Sequence, residues 1–206
     1  MNNRNLIVAL AVVALLAVAA TTAGCATNTT PSPTPIPATT TISGNNTTFS
    51  SAAGFNITFN KTLKVDSNTS ASNIVRLYVY LSPTEIVDGV VVATKGLTAG
   101  QTLSDFANSE IQHLKDNASV GFYKNFNVTN ETNSTISGKP AHTIVWSGIV
   151  PVQYNSTTST NSSLKEMQTY VVNNNMGYVI TYKAVASDYD TYLAQAQRIM
   201  NSFVLT

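Results

Sequence analysis

His113 and His142 are the only imidazoles in this 206-residue chain, and Cys25 is the only thiol. A bound metal ion needs several such ligands at short fixed spacing. No His-x-His, His-Glu-x-x-His or paired cysteine is present, so no metal site and no cofactor is expected. His113, beside Leu114 on a helical stripe, reads as a boundary residue, and His142 should share a strand face with Ile144 and Trp146 as a partly buried structural histidine. A serine hydrolase would need a nucleophile in a strained turn with a histidine and an acid nearby, and no Gly-x-Ser-x-Gly occurs. Asp188 and Asp190 flank Tyr189 at a helix start, where negative charge complements the dipole. Capping is the simpler use for them than a glycosidase pair. With no phosphate-binding loop or dinucleotide fingerprint either, no catalytic residue emerges, and the chain reads as a non-enzyme.

Two other residue sets carry binding or modification chemistry. Tyr78 and Tyr80 on one strand, with Tyr178 and Tyr182 on another, could line a face for an apolar or sugar ligand, although aromatic residues at strand positions usually pack as core. Asn-x-Ser/Thr acceptors begin at Asn28, Asn45, Asn46, Asn56, Asn60, Asn68, Asn117, Asn127, Asn130, Asn133, Asn155 and Asn161. Asn127, Asn130 and Asn133 fall around one expected turn. Asn155 and Asn161 fall in the polar loop from Gln153 to Ser163, so these five are the glycosylation candidates.

The formal charge is +1 and only 10% of residues are charged, so no field draws nucleic acid to this surface. With 43% apolar residues a core is affordable, and solubility must come from Asn, Thr and Ser. Arg4 precedes an unbroken apolar run from Leu6 to Ala20, and Thr22-Ala23-Gly24-Cys25 follows with small residues, the layout of a secretory signal. This ending resembles a lipobox, which implies that Cys25 is lipidated and opens the mature chain. The alternative is an uncleaved anchor, because Leu6 to Ala26 has about the 20 residues that a spanning helix needs. Either way the membrane partner is met through the N-terminus, and the rest stands on the outer face of the cell membrane.

Residues 26–46 form a Pro/Thr-rich stalk. Pro31, Pro33, Pro35 and Pro37 alternate with other residues and exclude helix and central strand. Over Ala26 to Thr41, at about 3.1 Å per residue, such a segment reaches roughly 50 Å. The globular domain is expected at 47–206. Phe55 to Phe59 and Ile74 to Leu81 alternate with period two, and Ile86 to Ala93 reads as a buried strand whose Gly89 marks a bulge or bend. Leu103, Phe106, Ala107, Ile111 and Leu114 recur at helical spacing behind a Thr102–Asp105 capping pair. Strands return at Phe126 to Thr129, Ala141 to Val150 and Met167 to Val172. The turn Asn173 to Gly177 then leads into Tyr178 to Tyr182, and a last helix follows a cap-like Ser187-Asp188 and carries Leu193, Ala196, Ile199 and Phe203. Strands without regular βα alternation imply an antiparallel α+β sandwich with two packed helices.

Lys165 to Val172, the Asn-rich turn, Gly177 to Ala184, Tyr189 and the ending Asn201-Ser202-Phe203 resemble the C-terminal half of PsbP-like domains. Gly138-Lys139-Pro140-Ala141-His142 before a strand and Gly54-Phe55 near the start add to the resemblance. It implies a PsbP-like fold, found in extrinsic photosystem proteins and in exported prokaryotic lipoproteins. The acceptor density beside a lipobox and a Pro/Thr stalk is similar to archaeal surface lipoproteins. The functional expectation is a membrane-tethered binding or scaffolding lipoprotein with a protein partner at the cell surface. An accessory subunit of a membrane-associated redox or assembly complex, or an unrecognised enzyme, is the alternative.

Overall fold

The computed structural model describes residues 38–69, 75–82, 87–153 and 159–206; Cys25, the prolines of the stalk and Asn155 lie outside them. The elements run β1 (Thr39–Ser43), β2 (Asn46–Ser51), β3 (Phe55–Asn60), β4 (Val65–Thr69), β5 (Val75–Tyr80), β6 (Gly89–Gly96) and α1 (Leu103–Ser119). They continue as β7 (Lys124–Ile136), β8 (Lys139–Gln153), β9 (Ser159–Asn173), β10 (Met176–Val185), α2 (Tyr189–Asn201) and β11 (Val204–Leu205). Four strands form a small sheet in the order β1-β2-β3-β11, and seven form a large one in the order β4-β5-β6-β10-β9-β8-β7. Adjacent strands are antiparallel, so the chain is an α+β sandwich with two packed helices.

Period-two alternation decides the layering. Phe55, Ile57 and Phe59 from β3 meet Val75, Leu77 and Val79 from β5 in one core, which α2 completes with Ala196, Ile199 and Met200. The small sheet and α2 therefore share one face of the large sheet. Helix α1 covers part of the other face, where Phe106, Ala107, Ile111 and Leu114 close on Ile144, Trp146 and Tyr170. Thr102 and Asp105 make the expected capping box, with the Thr102 hydroxyl and N–H holding the Asp105 carboxyl below its ordinary pKa. Asp188 occupies the corresponding position of α2 but makes no side-chain cap bond, because its backbone is already helical.

Several expected boundaries move. The stalk gives way to strand at Thr39, since β1 and β2 close a hairpin through Gly44, whose φ of 58° suits glycine. Strands β7, β8 and β9 are 13, 15 and 15 residues long, so Asn127, Asn130 and Asn133 lie in β7 and Asn161 lies in β9. The turn after β7 is Ser137-Gly138, and the one after β9 is Asn174-Asn175, each with positive φ at both positions as two-residue hairpins demand. Gly89 makes no bulge. The ring of Tyr78 lies where a Cβ would sit, 2.4 Å from the nearest ring carbon, so a side chain is excluded by close approach. Gly177 belongs to β10 and gives way in the same manner to the ring of Phe106.

Ala38 packs at the edge of the main core and β1 hydrogen-bonds to β2, so we expect the domain to begin there. A chain of residues 38–206 should unfold in one cooperative thermal transition. A broad, non-cooperative melt would show that the preceding residues belong to the folding unit.

Candidate functional site

The α1 face of the large sheet carries a polar stripe that crosses the strands in register. One row reads Tyr80, Gly89, Lys183, Glu166, Trp146 and Val128; the next reads Tyr78, Val91, Thr181, Gln168, Ile144 and Glu131. Lys183 is 7% exposed and stands directly opposite Glu166 in the β9–β10 pair. Burial lowers the pKa of the Lys183 ammonium, against the Glu166 charge that supports it, and burial raises that of the Glu166 carboxyl, against Lys183 and the Gln168 amide. Gln168 donates to Glu166 at 2.9 Å and accepts from the Tyr170 hydroxyl at 2.6 Å. Lys183 sits 5.1 Å from the centre of the Tyr78 ring, which leans on Tyr80 at 4.3 Å.

The tyrosines of this stripe are held as donors. Burial, reinforced by nearby carboxylates, pushes Tyr78, Tyr123 and Tyr170 above the ordinary phenol value. A phenol that keeps its proton cannot serve as a base or nucleophile, but it can orient a partner by hydrogen bonding. Tyr178 and Tyr182 do not join Tyr78 and Tyr80, because their positions in β10 point to the opposite face. There they are buried and donate to the carbonyls of Ala53 and Tyr189. The four tyrosines therefore line no common face.

His142 sits as expected beside Ile144 and Trp146. Its Nδ1 meets Asn133 Oδ1 at 2.8 Å, its Nε2 meets Glu131 Oε1 at 3.0 Å, and its ring faces Tyr170. Both ring nitrogens are thus engaged in packing β7 onto β8. His113 is exposed on α1, and Asp190 lies in the first turn of α2 with Lys165 3.9 Å away. Among the described residues no three His, Cys, Asp or Glu side chains gather as a metal site requires.

Two open grooves flank α2. One, about 360 Å³, runs between α2 and the β2–β3 pair and is lined by Asn46, Asn60, Gln195, Arg198 and Ser202 over Phe59 and Ile199. The other, about 200 Å³, lies between α2 and β7–β9, with Ser134, Thr143, Thr169, Gln197 and Asn201 around Met167 and Met200. Sequence pattern missed both grooves, because each joins residues from elements far apart along the chain. The Lys183–Glu166 pair was legible in principle: counting outward from the two-residue turn at Asn174-Asn175 puts these positions opposite one another.

No known family and no curated protein matches this sequence. Solved structures do match the fold. Cyanobacterial PsbP (CyanoP) from Synechocystis sp. PCC 6803 superposes with a TM-score of 0.58 at 13% identity, covering 79% of this chain and 93% of its own. LpqN of Mycobacterium tuberculosis, described as involved in cell envelope biogenesis, superposes with a TM-score of 0.52 at 13% identity, covering 74% of this chain and 83% of its own. At this identity the likeness is one of architecture, and the fold of this domain is PsbP-like.

Proposed function

We propose that this protein is a membrane-tethered, extracytoplasmic binding or scaffolding module, held on the outer face of the cell membrane by its N-terminal residues. The observation that carries the binding role is the pair of grooves flanking α2, whose rims are mostly amides and hydroxyls over small apolar floors. Such groups recognise a partner by geometry, each hydrogen bond contributing about 1 kcal/mol net, and activate no nucleophile. The described role of LpqN in cell envelope biogenesis supports an envelope setting. The secretory layout before Cys25 supports export. An accessory subunit of a membrane complex is the form this role takes if the partner is itself membrane-bound.

Two measurements test the reading. Mass analysis of the membrane form should show a chain that begins at lipid-bearing Cys25, and Cys25→Ser should release or misprocess it. An intact segment from Met1 to Gly24 would establish the anchor instead. Native electrophoresis of gently extracted membranes should place the chain in an assembly heavier than a single mature chain. Gln195→Ala with Arg198→Ala, at a half-buried and an exposed position of the larger groove, should free it. A wild-type chain migrating alone would remove the scaffolding reading.

A further inference from the structure

Among the described residues strand β7 ends the seven-stranded sheet, so one side of its 13-residue backbone has no described strand beside it. A long free edge is a template for another chain, and proteins blunt such edges with charges, proline, bulges or a covering element. Between Lys124 and Ile136 the only charges are Lys124 and Glu131, and there is no proline. The register shifts fall between Lys124 and Asn130 and interrupt only the first half of the strand. From Asn130 to Ile136, β7 pairs residue by residue with Val145 to Lys139 of β8. This regular stretch is the template.

Both asparagines in the stretch open acceptor motifs, Asn130-Glu131-Thr132 and Asn133-Ser134-Thr135. Asn130 lies opposite Val145 on the α2 face of the sheet, and Asn133 lies opposite His142 on the α1 face. Both are exposed. His142 engages Oδ1 of Asn133, which leaves Nδ2, the atom that takes a sugar, as the other end of the amide. Acceptors are also more frequent than composition explains: 12 of 22 asparagines have Ser or Thr two residues on, whereas 49 Ser and Thr among 206 residues give about five by chance. None of the ten acceptor asparagines among the described residues is buried, and β4 at the opposite edge carries Asn68.

We propose that Asn130 and Asn133 carry N-linked glycans, one on each face, that guard the regular half of the β7 edge against pairing with a second copy of the chain. The donor is a lipid-linked oligosaccharyl phosphate. Nδ2 bonds to the anomeric carbon and loses one proton, while the bond from that carbon to the phosphate oxygen breaks and the lipid phosphate leaves with the electron pair. A glycan occupies the space above or below the edge that the side chains of an added strand would need. Without it, two β7 strands can pair about a two-fold axis and merge their sheets.

The inference rests on the export half of the proposed function, and the experiment separates the two. Glycopeptide mapping of the full chain from its host's membranes should find sugar on the peptide bearing Asn130 and Asn133. Thr132→Ala with Thr135→Ala removes both acceptors and keeps both asparagines. That chain, purified in detergent, should sediment as a dimer or larger where the wild type is a monomer, and Thr132→Lys with Thr135→Ala should return it to monomer by charging the edge. If the alanine variant lacks a cooperative melt, deglycosylation of the purified wild-type chain supplies the same state. Unmodified Asn130 and Asn133 in a chain that protease reaches on intact cells would overturn the guard and leave export standing, as would a deglycosylated chain that stays monomeric. A chain out of reach of that protease would overturn export and the guard together.

Discussion

Lys183→Met should destabilise the domain by up to about 3 kcal/mol at neutral pH, because it removes the cation that faces the part-buried Glu166 carboxyl across the β9–β10 pair. Glu166→Gln should cost a similar amount by stranding the Lys183 ammonium, and the double variant should recover most of the loss, since both charges then disappear together. The pH dependence of the single variant has a definite sign. Burial already raises the Glu166 pKa, and removing Lys183, which lowers it, raises it further. A group whose folded pKa is raised contributes stability that is fully present below its unfolded value and lost as pH rises through the folded one. The deficit of Lys183→Met relative to wild type should therefore be smallest in the ordinary carboxylate range and open as pH rises through the raised folded pKa of Glu166. Urea midpoints measured from acid to neutral pH for all four proteins check this. A deficit that does not change with pH would mean that the methionine costs packing and not charge.

Phe203→Ala should be comparably severe, at about 3–5 kcal/mol. Phe203 is 1% exposed, stacks on Phe55 at 5.3 Å and meets the edge of Tyr178 at 5.7 Å, so one ring joins the end of α2 to both sheets. Phe106→Ala should cost about as much from the other face, and its partner is identifiable. A Cβ on Gly177 would lie 2.6 Å from the Phe106 ring, so Gly177→Ala alone should overpack the site by about 1–3 kcal/mol. In the Phe106→Ala background the same methyl should be tolerated, and the two changes should fail to add. Arg198→Ala, exposed on α2, should change stability by about 0.5 kcal/mol or less. Thermal or urea unfolding of these variants checks the series, and equal small losses throughout would mean that the helices are not packed on the sheet as described.

The sequence alone determined what is local. Helix α1 was legible because the spacing of Phe106, Ala107, Ile111 and Leu114 and the Thr102–Asp105 pair act within a few turns of chain. The alternation in β3 and β5 likewise identified the buried face, since period two turns every second side chain the same way. The order of elements was enough to anticipate an antiparallel α+β architecture, and the resemblance of the C-terminal half to PsbP-like domains supplied the rest. Hairpin ends were harder. Asn127 and Asn130 occupy an edge strand whose side chains are mostly exposed, so nothing apolar alternates strongly enough to separate strand from loop, and composition suggested a turn. Gly89 was misread because its need for hydrogen in place of Cβ comes from the Tyr78 ring on the neighbouring strand, not from its own backbone. Tertiary structure alone decided the rest. The parity of each strand in the sheet sent Tyr78 and Tyr80 to one face and Tyr178 and Tyr182 to the other. The grooves flanking α2 and the free edge of β7 exist only once the strand order closes, because each is defined by neighbours distant along the chain.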